Sequence, residues 1–183
     1  MTYYGARQLA DSMRTVRKNT LKIAEEIPES QYGFKAAPDV KSVGELLTHI
    51  ALGHRFQQQI HATERRQTLE GFDFPGLMQR LGAEQQKPRS KAEILDLLKR
   101  EGEAWASWVE GLSEDFLAEP VRMPAGAQPA SKSRFEMILS TKEHEMHHRG
   151  QLMTIERLIG IVPHLTREMQ ARMQAAAQGQ ARA

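Results

Sequence analysis

The sequence contains no cysteine. Disulfides, thiolate-bound zinc and cysteine nucleophiles are therefore excluded, and the absence fits a reducing compartment, so the expected location is cytoplasmic. Long apolar runs are missing as well: none approaches the ~20 residues that span a bilayer. Met1 to Thr20 lacks the apolar segment of a signal peptide. An excess of one charge is also lacking, with 25 Lys and Arg against 23 Asp and Glu. The Arg65-Arg66 pair stands alone, so neither nucleic acid nor a membrane is an expected partner. Sustained period-two alternation with β-branched residues is nearly absent, which argues against a sheet fold.

Helix signals are what the chain does contain. Its 183 residues, 40% hydrophobic and 26% charged, suit one domain over residues 1–183 with a real core. Leu9, Met13, Val16, Thr20, Ile23 and Ile27 form an apolar stripe, predicting a helix over Gln8–Ile27 that Pro28 ends. Ser42/Glu45, Ser90/Glu93 and Ser133/Glu136 are capping boxes, in which serine oxygen and glutamate each satisfy an orphan N–H of the first turn. They open helices over Ser42–Glu64, Ser90–Gly111 and Ser133–Gly160. Short helices are expected over Pro75–Leu81, inside the Gly71–Pro88 connection, and over Arg167–Ala177 with Thr166 as cap. The small, polar end, Ala175–Ala183, should fray. The fold class is all-α, a four-helix bundle plus a short C-terminal helix. Connections of roughly 13 to 25 residues require at least one long crossover.

The chemistry concentrates in His144-Glu145-Met146-His147-His148-Arg149-Gly150-Gln151-Leu152. On a helix His144 and His148 stack one turn apart and can share a metal ion, whereas His147 projects about 100° away. His49, on the second helix, shares a face with Leu46 and Gly53 that should point inward. Three inward imidazoles each need a partner for an unprotonated nitrogen, and one divalent ion serves all three. Three histidines with an open fourth position are the arrangement of catalytic rather than structural zinc. His54, His61 and His164 read as surface or loop histidines, with His54 the most functional of them. A rival reading takes His144-Glu145-Met146-His147-His148 as the H-E-x-x-H helix of a zinc protease, with Glu145 as general base and His164 or Glu168 as third ligand. The missing strand for substrate alignment counts against it.

Ser42-Val43-Gly44-Glu45-Leu46-Leu47-Thr48-His49-Ile50 together with the His144–Leu152 stretch resembles the DinB superfamily, as does the trailing Leu158–Pro163. The resemblance spans about Gln8 to Pro163. It implies a bundle with a long crossover, and one divalent metal, zinc or nickel, on His49, His144 and His148. A homodimer and a small-molecule substrate are implied too. Two positions depart from the pattern: Lys41 stands where an aromatic is common, and Glu143 where an Asn is common. The resemblance implies either thiol-dependent transfer, with a low-molecular-weight thiol as cofactor, or metal-dependent hydrolysis by an acidified water. Arg149 or Arg55 is placed to hold a thiol's charged body, though each also reads as a solvated charge. A metal-binding stress-response protein without turnover is the non-enzymatic alternative.

Overall fold

Apolar stripes at helical spacing become helices whose striped faces meet. A computed structural model describes residues 4–180. In chain order it contains α1 (Ala6–Glu26), α2 (Val43–Leu52), α3 (Arg55–Gln58), α4 (Phe74–Gln85), α5 (Lys91–Glu110), α6 (Glu114–Ala118), β1 (Pro120–Arg122), β2 (Ser131–Ser133), α7 (Arg134–Leu158) and α8 (His164–Gln180). All three predicted capping boxes are formed, with Ser42, Ser90 and Ser133 each accepting from the N–H three residues on. No helix among the described residues is long and apolar enough to cross a membrane.

α1 packs against α5 and α7, and α2 packs against the same two helices. α1 and α2, although consecutive, are thus diagonal, and so are α5 and α7. Diagonal helices cannot be joined by a tight turn, which is why the α1–α2 and α5–α7 connections are long.

Several boundaries differ from expectation. The helix expected over Ser42–Glu64 is segmented, with α3 passing into a π turn over Gln59–Thr63. Gly53 and His54 keep right-handed helical angles, so the chain direction carries on between α2 and α3. The wider π turn accompanies two successive fully buried residues, Ile60 and His61, which a regular helix would turn apart. The connection after α5 holds α6 and a two-stranded antiparallel ribbon pairing Pro120 with Ser133. α8 begins at His164 and runs to Gln180, so most of the end expected to fray is helical; residues 181–183 lie outside the described part. Thr166 does not cap this helix; it accepts from Arg157.

Two apolar clusters occupy the two ends of the bundle. One gathers Ile23, Ile27, Leu46, Leu47, Leu98 and Leu152. The other gathers Leu9, Met13, Trp105, Val109 and Ile138. The layer between them is polar. In it Arg17 donates from Nε and Nη2 to the two Glu145 oxygens, each at 2.9 Å, and from Nη1 to the Leu98 carbonyl at 2.6 Å. Both side chains are buried. The guanidinium fits because position 102 is glycine: a Cβ there would lie 2.8 Å from Arg17 Nη1.

At the far end of α7, Glu156 is fully buried and neither carboxylate oxygen has a hydrogen-bond partner among the described residues. Burial first, and the Glu26 charge second, push its carboxyl up to about 7.

Two outcomes follow. Removing one partner of a buried ion pair strands the other, so Arg17→Ala should cost about 3–5 kcal/mol in urea unfolding, while Arg17→Met combined with Glu145→Met recovers much of that. A raised carboxyl favours the protonated native state, so its contribution is complete below the ordinary glutamate range and is lost as pH rises through about 7. Between pH 5 and 8, wild type should therefore lose stability relative to Glu156→Gln; parallel pH profiles would refute the assignment.

Candidate metal centre

The capping box at Ser42 sets the start of α2, so that His49 falls in its last turn, facing α7. His144 and His148 fall near the middle of α7, one turn apart. Because α2 and α7 are neighbours in the bundle, the three rings meet although 95 positions separate His49 from His144.

His49 Nε2 lies 3.0 Å from His144 Nε2, and His148 Nε2 lies 3.1 Å from the same atom. One ligand atom from each residue falls within 4.8 Å of the other two. All three side chains are half-buried, leaving the cluster open on one side.

The outer nitrogens show which way the inner ones point. His49 Nδ1 is 3.0 Å from Gln85 Oε1, and His148 Nδ1 is 2.8 Å from Gln151 Oε1. An amide oxygen only accepts, so both Nδ1 atoms carry the proton and both Nε2 atoms present lone pairs. Two lone pairs therefore converge on His144 Nε2, whose single possible proton cannot serve both well. A cation at the centre removes the conflict. Nitrogens about 2.0–2.1 Å from one tetrahedral ion stand roughly 3.3–3.4 Å apart, close to the spacing here. The donor set thus fits a divalent metal. Burial holds all three imidazoles below their ordinary range, and His144 is pushed down to about 4, with repulsion from His148, His49 and His147 adding to the effect. Neutral imidazole is the form that ligates.

Gly53 makes the approach possible. A Cβ there would stand 2.9 Å from both Cε1 and Nδ1 of the His144 ring. On the open side lies a pocket of about 410 Å³, walled by Leu52, Phe56, Met78 and Leu81 beside His49 and His144.

Three other histidines, expected at the surface or in loops, lie inside the fold. His54, His61 and His164 are all buried, because each meets a partner from another element. His54 Nε2 lies 3.5 Å from Glu101, and its ring packs on Trp105. His61 bridges Gln57 and the buried Arg134. His164 Nε2 lies 3.5 Å from Asn19. None joins the three-histidine group. His147 is exposed and also stands outside it.

The protease geometry is not formed. Glu145 is buried and clamped by Arg17 through both carboxylate oxygens, so it is not placed as the general base of that reading. Glu168 pairs with Arg172 on its own helix. Arg55 is held by both oxygens of Glu101, at 2.9 and 2.7 Å, rather than solvated. Arg149 is half-buried and makes no ion pair among the described residues. Sequence reasoning missed Gln85 entirely, since nothing local links it to His49; Gln151 lay in the motif without a role.

The family model described as DinB superfamily matches residues 12–152. Among solved structures, a DinB-like protein, YjoA, from Bacillus subtilis is 22% identical, with 84% of this chain and 92% of that one covered and a TM-score of 0.60. A chain described as the sibling lethal factor precursor DfsB is 16% identical, with 88% and 100% covered and a TM-score of 0.62. Both likenesses are of fold. No curated protein matches the sequence.

Gly53→Ala should push the His144 ring out of register and weaken Co²⁺ binding by about 10-fold or more, with helix content unchanged. Gly150→Ala, where a Cβ meets nothing within 4 Å, should leave affinity as it was. Equal affinities for the two variants would contradict this account of Gly53.

Proposed function

The chain belongs to the DinB superfamily, and on that premise we propose that it is a metal-dependent enzyme acting on a small molecule, with one divalent ion, zinc or nickel, on His49, His144 and His148. The observation that carries this reading is the orientation of the rings. Gln85 and Gln151 fix two imidazoles with lone pairs turned toward the third, on the open side of an apolar pocket. A closed four-ligand site would argue for structure; three ligands beside a pocket argue for chemistry.

A bound ion supplies Lewis acidity, which lowers the pKa of a thiol or water occupying the open position. The chain does the rest. Gln85 and Gln151 hold the tautomers. Leu52, Phe56, Met78 and Leu81 exclude water and receive the apolar part of the substrate. Arg17 keeps Glu145 out of the reaction.

Both a low-molecular-weight thiol and water suit the same position, giving an S-transferase or a hydrolase. Cytoplasmic location and a homodimer belong to the proposal as well; scattering at the mass of one chain would remove the dimer.

Metal analysis of purified protein should return about one ion per chain, the stoichiometry of a single three-ligand site. His49→Ala should lose it with the helices intact. Glu145→Gln, His164→Ala and Glu168→Ala should keep it. A panel of small thiols and electrophiles then separates the chemistries: turnover that needs thiol marks the transferase, and ester or amide cleavage without thiol marks the hydrolase. Metal without turnover would leave a metal-binding protein, and metal retained in His49→Ala would overturn the site itself.

A further inference from the structure

The apolar pocket beside His49 and His144 does not end at its own walls. A second groove, of about 760 Å³, runs between the start of α2 and the segment that follows α4. Lys41, Gly82 and Gln85 line both spaces, so they form a shared rim. Gln85 is the side chain that orients His49.

The groove carries Lys35, Lys41, Lys87 and Arg89 against two carboxylates, Asp39 and Glu45. Their partners differ. Lys87 and Arg89 are both tied to Glu84 at 2.6 Å, and Lys35 lies 3.7 Å from Glu45. Lys41 is exposed and has no carboxylate within ion-pair distance among the described residues. A cation on the rim that makes no ion pair among the described residues is placed to meet an anion entering the pocket.

We propose that Lys41 sets substrate charge: the site takes a small organic anion whose apolar part lies in the pocket and whose carboxylate or similar group meets Lys41 at the rim. The inference rests on the metal-site reading above and names its substrate class. Lys41 is not one of the three ligands and lines the pocket beside them; it is a specificity-determining residue.

The test uses the Co²⁺-loaded protein, whose visible absorption reports a thiolate entering the open position without any need for turnover. Two thiols of equal length are titrated, 3-mercaptopropionate and 3-mercapto-1-propanol, against wild type, Lys41→Arg, Lys41→Gln and Lys41→Glu. The ratio of their affinities removes intrinsic differences between the thiols. That ratio should favour the anion in wild type and Lys41→Arg, fall about five-fold in Lys41→Gln, the scale of one exposed charge pair, and fall further in Lys41→Glu. It should also shrink as salt rises. A ratio unchanged across the four proteins, with cobalt bound in each, overturns the role of Lys41 and leaves the metal site standing. Failure of wild type to bind cobalt brings down the metal-site reading and this inference with it.

Discussion

The Arg17–Glu145 ion pair is the interaction on which the middle of the molecule depends. A guanidinium and a carboxylate, both buried, are held in bidentate register, and the same guanidinium reaches the Leu98 carbonyl. One side chain of α1 thus reaches both α7 and α5. Such a pair is costly to desolvate and contributes little net stability against an apolar replacement; its strength is positional. It forbids sliding of α7 along α1, because a shift of one residue would strand both charges. His144 is the residue before Glu145, so the register that satisfies the pair also places the imidazole toward α2.

From that placement the geometry of the site follows by exclusion. The layer between the two apolar clusters can hold polar groups only if they are paired. Arg17 and Glu145 satisfy one another, as do Arg55 and Glu101. The three imidazoles cannot: with Gln85 and Gln151 taking the outer protons, two lone pairs are turned on a third ring. Gly53 removes the side chain that would hold His144 back. The arrangement is polar frustration maintained by packing, and a cation relieves it. The apolar pocket beside it gives the open coordination position a use.

Much of this was legible in the sequence, and the physical range of each signal explains what was not. The three Ser-x-x-Glu boxes act within one turn, so the starts of α2, α5 and α7 could be read to a residue. The His144/His148 pair is likewise local. His49 needed topology, and came from its inward face together with the resemblance. The β1–β2 ribbon was invisible because three-residue strands among prolines cannot display an alternation. Buried His54, His61 and His164 were misplaced because their partners, Glu101, Arg134 and Asn19, come from distant parts of the chain. Gln85 was missed for the same reason: a hydrogen bond across 36 positions leaves no periodic trace. The H-E-x-x-H match was a local pattern that tertiary structure contradicts, since Glu145 spends both oxygens on Arg17.

The claim that three imidazoles share one ion is tested most directly by X-ray absorption at the metal edge of the zinc-loaded protein. The account predicts a first shell of light atoms near 2.0–2.1 Å, with multiple-scattering features fitting three imidazole rings and one further oxygen or nitrogen. A first shell dominated by carboxylate oxygen, or one requiring no more than two imidazoles, would contradict it.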